Sequence, residues 1–256
     1  MIESLVKQYA KSSQELKVFP TTVSLVVVGL IVTIVILFII GDSRDLSPYA
    51  HNDKGVAFTN QELHLDAIAE FDKAIELDPT YTQAYINRGL TYDALGEFQR
   101  AIEDYDKAVE LGGPTSLQVY FTRGVAYRNL GQSQMAVADF DKSIELNPTY
   151  TQAYISRGYT YFELGQYQLA IEDYKVAIDL DSTWAKAYDL RGAAYQNLGE
   201  HQRAIEDYDK AIELNPNFLE AYEERAHSYD SLEQYGQAIK DYDKAIELSL
   251  IHISEP

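Results

Sequence analysis

The chain has 256 residues, no cysteine and a net charge of −19, because 40 acidic residues outnumber 21 basic ones. The lack of cysteine excludes disulfides, thiolate metal sites and cysteine nucleophiles. Phosphate backbones are repelled by such an acidic surface, so we expect no nucleic-acid partner.

The first predicted element is a membrane anchor. A polar segment, residues 1–20, precedes residues 21–40, which carry no charge and are dominated by Val, Ile and Leu. About 20 helical residues cross a hydrocarbon layer of roughly 30 Å, so we expect a single transmembrane helix over residues 21–40 and a short linker over residues 41–47. A cleaved signal peptide and a buried core helix are the alternatives, and the long polar leader argues against the signal peptide.

The charges that flank this segment predict its orientation. Three lysines and the chain amine lie before residue 21, whereas Arg44 and Lys54 follow residue 40. The excess of positive charge before the span favours a single-pass protein with a cytoplasmic N-terminus and the bulk of the chain on the opposite side.

Residues 48–248 repeat with a period of 34 residues, broken once by an extra residue near "LGGPTS". Within each unit, an aromatic residue at unit position 11 precedes another at position 24, and Ala at position 20 lets two helices approach closely. Glycine at position 15 of the central units ends a first helix, and a later proline closes the second in several units. Each unit is therefore predicted to be a helix, a tight turn and a second helix. The six units are residues 48–81, 82–116, 117–150, 151–184, 185–218 and 219–248.

These positions resemble the tetratricopeptide repeat family, most clearly in "YINRGLTYDALGEFQRAIEDYDKAVEL" at residues 85–111. The resemblance implies an all-α solenoid, a right-handed superhelix of about six helix–turn–helix repeats with a concave inner face. One such unit cannot bury its own apolar face, so the copies are expected to stack. His51, Lys54 and Glu62 depart from the other units, as an N-terminal cap would.

Opposite charges recur at unit positions 7 and 23. Five units carry Arg at position 7 and Asp at position 23, and the first unit keeps both signs with Lys54 and Glu70. We expect bidentate Arg–Asp ion pairs, either between the two helices of one unit or between neighbouring units; the alternative is that both groups face water. The pairs are Arg88 and Asp104, Arg123 and Asp139, Arg157 and Asp173, Arg191 and Asp207, and Arg225 and Asp241.

The last nine residues, "LSLIHISEP", break the repeat. They resemble the translation of a common sequencing-library adapter. We therefore expect residues 249–256 to be a non-native tail and the natural chain to continue beyond Leu248.

The sequence carries no nucleophile elbow, phosphate loop, dinucleotide-binding glycine run or calcium loop, and no two histidines have the spacing of a helical zinc site. We therefore predict a non-enzymatic protein without cofactor or metal.

Binding in a groove is the predicted activity, since the family resemblance places first-helix positions 2, 5, 6, 9, 12 and 13 on the inner face. Carried onto this sequence, these positions give an apolar middle and an acidic sixth unit. A protein or peptide ligand with apolar anchors and basic residues would match this gradient. The alternative is that the apolar members pack between units. The predicted groove residues are Ile86, Asn87, Leu90, Phe121, Val125, Arg128, Ile155, Tyr159, Phe162, Lys186, Asp189, Glu220, Glu223 and Glu224.

Three functions are compatible with these features. The preferred one is a membrane-anchored scaffold or adaptor for protein–protein interaction. The alternatives are the substrate-recruiting repeat arm of a longer enzyme and an organelle import or co-chaperone receptor. Only Asn87 and Lys186 match single positions of the family's carboxylate clamp, so a complete clamp is not expected.

Overall fold

Residues 47–112 and 117–254 are described by a computed structural model, and over them the chain consists of twelve α-helices. The predicted all-α solenoid of stacked helix pairs is therefore confirmed. The first helices of the six units are odd-numbered and the second helices even-numbered. In chain order the helices are α1 (Pro48–Thr59), α2 (His64–Leu77), α3 (Thr82–Ala94), α4 (Phe98–Glu110), α5 (Leu117–Asn129), α6 (Ser133–Leu146), α7 (Thr151–Glu163), α8 (Tyr167–Leu180), α9 (Ala185–Asn197), α10 (His201–Leu214), α11 (Leu219–Ser231) and α12 (Tyr235–Ser254).

The predicted transmembrane helix, residues 21–40, lies outside the described residues, as does the polar segment 1–20 and all but the last residue of the linker. Within the described part of the chain, every helix is too short or too polar to span a bilayer. The final helix runs past Leu248 to Ser254 and so includes much of the predicted non-native tail.

Each helix pair closes on an aromatic ring from its second helix. Tyr105, Tyr174 and Tyr208 are fully buried at position 24, and glycine stands opposite each ring at position 8 of the first helix. A Cβ added at Gly158 would lie 2.8 Å from Cε1 of Tyr174, closer than carbon atoms approach without displacement. Glycine at position 8 therefore sets the distance between the two helices, a requirement that was not predicted from the sequence.

The turn inside each unit needs a residue in the left-handed conformation at position 15. Glycine holds this position in the four central units, with φ of +74° at Gly96 and +71° at Gly165, for example. The first and last units place Glu62 and Glu233 there instead, with φ of 61° and 60°. Because a side chain is disfavoured at positive φ, these two turns are strained relative to the central four.

The repeated Arg and Asp form bidentate pairs inside units two to six, whereas Glu70 of the first unit pairs with His51 and Lys73 rather than with Lys54. In all five pairs the arginine Nε donates to Oδ2 of the aspartate at 2.7–2.9 Å and Nη2 donates to Oδ1 at 2.6–2.7 Å. The aspartates are buried. Burial alone would lower the pKa of Arg88. The hydrogen bonds and charges of Asp104 and Asp72 raise this pKa by more than burial lowers it, so the guanidinium stays charged.

Four of these arginines also reach back to the preceding unit. The remaining nitrogen, Nη1, donates to an aspartate at position 25 of the previous second helix. These contacts are Arg88 to Asp72 at 2.5 Å, Arg123 to Asp106 at 2.7 Å, Arg157 to Asp141, and Arg225 to Asp209 at 2.5 Å. The guanidinium therefore links the two helices of its own unit to the neighbouring unit, through a third contact that was not predicted from the sequence.

The stack curves with the first helices on its inner side. Successive first helices contact one another from α1 to α11, whereas no second helix contacts another second helix among the described residues. The second helices of the first five units instead pack against the first helix of the next unit. A stack whose helices are in contact on one side and separated on the other is concave on the side where they are in contact. The first helices therefore line the groove.

Candidate protein-binding groove

In the second, third and fourth units, position 5 of the first helix faces a junction between units. Ile86 is only 9 % exposed and belongs to the apolar core of the first three units. Phe121 packs edge-on against Tyr150, with ring centroids 5.2 Å apart, and Ile155 packs against the buried cluster of the later units. In these three units position 5 therefore joins units rather than contacting a ligand, and so does Val125, which is partly buried against the core of the first three units.

The exposed apolar groups of the groove lie at positions 9 and 12. Leu90 is 40 % exposed and Tyr159 is 38 % exposed, and Phe162 stands edge-on to Tyr167 with ring centroids 5.3 Å apart. Arg128 places its guanidinium 5.2 Å from the centroid of the Tyr159 ring. It forms no ion pair with any described residue, so the middle of the groove offers aromatic surface and one cation.

Amide side chains connect the first two units. Asn87 Nδ2 donates to Oδ1 of the buried Asn52 at 2.8 Å, and Gln83 Nε2 donates to Oδ1 of Asn87 at 2.9 Å. Beside them, Tyr49, Tyr81, Gln83 and Ile86 line part of a shallow cavity of about 350 Å³. Asn87 is thereby held in place by its own neighbours at this end of the row.

The buried tyrosines at position 24 send their hydroxyl groups to position 12 of the same unit. Tyr105 donates to Oδ2 of Asp93 and Tyr208 donates to Oε1 of Gln196, both at 2.7 Å. Phe162 occupies position 12 in the fourth unit, and the Tyr174 hydroxyl has no hydrogen-bond partner among the described residues. Burial raises the pKa of Asp93, and the hydrogen bond from Tyr105 offsets only part of that rise.

The acidic end of the groove is built around Asp189. This carboxylate is 5 % exposed and accepts a hydrogen bond from Nζ of Lys186 at 2.8 Å. Burial raises the pKa of Asp189, Lys186 lowers it, and the charges of Glu224 and Glu220 raise it again. Glu223 is exposed on α11, the helix that also carries Glu220 and Glu224. This end of the row of first helices therefore concentrates negative charge next to the exposed Lys186.

Comparison of the sequence with known families gives consistent matches along the stack. Family profiles described as "Tetratricopeptide repeat" match residues 48–81, 82–111, 118–150, 140–172, 185–218 and 207–240, and a profile described as "TPR repeat" matches residues 158–199. No curated protein sequence matches the chain. Among the described residues, no group of three or more His, Cys, Asp or Glu side chains is placed to hold a metal ion.

Several solved structures are similar to this chain. The crystal structure of MamA protein is 30% identical, with the match covering 65% of this chain and 91% of that chain at a TM-score of 0.61. MamA from Desulfovibrio magneticus RS-1, residue 41 to the end, is 24% identical, covers 66% and 94%, and has a TM-score of 0.62. YrrB, described as a TPR protein with an unusual peptide-binding site, is 23% identical, covers 70% and 92%, and has a TM-score of 0.62.

Proposed function

The chain belongs to the tetratricopeptide repeat family, and from this premise we propose that it is a membrane-anchored scaffold that binds a partner protein or peptide along its first helices. The observation that carries the proposal is the change of chemistry along the concave row. Its middle presents Leu90, Arg128 and Tyr159, and its sixth unit presents Glu220 and Glu223. The description of YrrB as peptide-binding supports the same use of a similar fold.

The ligand that fits this row combines apolar and basic groups. Aromatic or aliphatic side chains of a peptide would cover the partly exposed rings of Tyr159 and Phe162. Basic side chains of the same peptide would lie over Glu220, Glu223 and Glu224, where opposite charges speed association and fix the orientation. Ile86 is left out of this contact because it is already buried.

The membrane part of the proposal rests on residues 21–40, an uncharged apolar stretch long enough to cross a bilayer. We place the N-terminus in the cytoplasm and residues 48–248 on the other side, close to the bilayer because the linker over residues 41–47 is short. Protease protection of right-side-out and inverted vesicles tests this. Digestion of the repeats from the cytoplasmic side would contradict the orientation.

The groove is tested by reversing its charge in the full-length chain, solubilised in a neutral detergent and used for affinity capture. The triple change Glu220→Lys, Glu223→Lys and Glu224→Lys is expected to abolish capture of the partner recovered with the unchanged chain. The matched control reverses three exposed acidic residues at position 22 of second helices, outside the groove, and should leave capture intact. The control residues are Glu103, Glu172 and Glu206. Equal capture by both variants would contradict the electrostatic part of the proposal.

A further inference from the structure

One arginine of the repeated series lacks a contact that the other four make. At the junctions before units two, three, four and six, Nη1 of the arginine donates to a position-25 aspartate of the preceding unit. Before unit five, position 25 is Lys175, and Nη1 of Arg191 has no acceptor among the described residues. The carboxylate that completes this arrangement elsewhere in the stack is thus replaced here by a cation.

Arg191 nevertheless keeps the orientation of its counterparts. Its Nε donates to Oδ2 of Asp207 at 2.8 Å and its Nη2 to Oδ1 at 2.7 Å, the same bidentate geometry as in the other units. The hydrogen bonds of Asp207 raise the pKa of Arg191, and burial lowers it by less, so the group is charged. The free N–H edge is therefore held in place and partly exposed, with 19% of the side chain accessible.

Lys175 adds a second positive charge at the same junction. It occupies the helix position from which the aspartates of the other units reach the arginine, it is exposed, and it forms no ion pair with a described residue. Glu172 and Asp179 are exposed on the same helix and weaken the local positive potential. Lys175 and the Nη1 group of Arg191 therefore both lack a carboxylate partner among the described residues.

We propose that Arg191 and Lys175 bind an oxyanion, which takes the place of the missing aspartate carboxylate at the junction between units four and five. The four complete junctions supply the template, because there a carboxylate oxygen sits against Nη1, at 2.5 Å from Arg225 for instance. Carboxylates and phosphates share this chemistry, since both offer two or more oxygens to paired N–H donors. The aspartate or glutamate side chain of a docked protein and free inorganic phosphate are the two sources. The site uses no groove residue and is independent of the function proposed above.

The test is thermal unfolding of the full-length chain in dodecyl maltoside, a neutral detergent, with phosphate, acetate and chloride compared at equal ionic strength. A weak site that binds only the folded state should raise the midpoint by about 2 °C in about 50 mM phosphate relative to chloride. Lys175→Asp restores the internal carboxylate, so it should raise the midpoint in chloride and remove the response to phosphate. Lys210→Ala removes a partly exposed lysine elsewhere, one that pairs with Glu213, and should respond to phosphate as the unchanged chain does.

A second anion site is expected in Asp209→Lys. This change places lysine at position 25 before unit six, as Lys175 stands at position 25 before unit five. It leaves the pairing of Arg225 with Asp241 intact, so folding should persist and the anion response should roughly double. Stabilisation by acetate as well as phosphate would assign the site to carboxylates, and stabilisation by phosphate alone would assign it to phosphate. Absence of any anion-specific shift in the unchanged chain, or an undiminished shift in Lys175→Asp, would overturn the proposal.

Discussion

The interior of the helix pairs and the concave row of first helices differ in how their residues change along the stack. Inside the pairs, the glycine at position 8, the ring at position 24 and the Arg–Asp pair recur in nearly every unit. Along the row, position 9 passes from Leu90 through Tyr159 to His227. Recurrent residues satisfy a packing demand common to all units, so the residues that differ are the ones available to select a ligand.

The largest effect is expected from breaking the recurrent ion pair. Asp173→Ala would leave Nε and Nη2 of the partly buried Arg157 without their acceptors, and the free energy of unfolding should fall by about 4 kcal/mol. Urea unfolding followed by circular dichroism measures this.

The matched control for this change is Asp141→Ala. It removes the third contact of the same arginine, but Asp141 is about half exposed, so the loss should be within about 1 kcal/mol. Similar losses in both variants would mean that the pair inside the unit and the link between units contribute alike.

A second break in the interior comes from Gly158→Val. The new Cβ would lie 2.8 Å from the buried Tyr174 ring, and the helices would have to separate, at a cost of about 3 kcal/mol. The comparison variant is Gly236→Ala, where nothing lies within 4 Å of the added Cβ. The interior would not be the constrained region if Gly158→Val unfolded at the urea concentration of the unchanged chain.

The turns of the end units, where glutamate replaces glycine at position 15, allow a substitution that should stabilise the chain. Glu233→Gly relieves a side chain held at φ 60° and should raise the free energy of unfolding by about 1 kcal/mol. The reverse change, Gly165→Glu in a central unit with φ +71°, should lower it by a similar amount. Equal stability of all three chains would show that the turn does not discriminate between these residues.

The smallest effect is expected at Asp93, which belongs to the row and also receives the hydroxyl of the buried Tyr105. Because its pKa is raised in the folded chain, the folded state binds a proton more tightly, and stability falls as pH rises from about 4 through the raised pKa. Asp93→Asn removes this dependence and should be more stable by about 0.5 kcal/mol at pH 7. A stability difference between the two chains that stayed constant from pH 4 to 7 would contradict it.

The sequence alone was sufficient for the features that recur with fixed spacing. The first residues of the odd-numbered helices coincide with the starts of the sequence units at Pro48, Thr82 and Leu117, because the repeat itself marks where each hairpin begins. The pairing of Arg88 with Asp104 could also be anticipated, since opposite charges recur 16 residues apart.

Features that depend on contact between units were not predictable in the same way. Ile86 and Asp189 were assigned to the groove by their position in the family, but the structure buries both, Ile86 in the core of the first three units and Asp189 beside Lys186. In the sequence, the aspartates at position 25 could not be distinguished from other exposed charged residues. Only the packing of one unit on the next shows that Asp106 pairs with Arg123. A charge reversal within the recurring "DYDK" segment, as at Lys175, was the available signal.

Over the described residues, successive first helices are in contact and second helices are not, which gives the solenoid one edge of nearly fixed length. Bending must therefore be taken up on the outer edge, where second helices can spread or close while the bidentate pair within each unit stays formed. A small change of angle at each of five junctions adds up over the length of the stack. The radius of the inner surface could in this way adapt to ligands of different thickness without any hairpin unfolding.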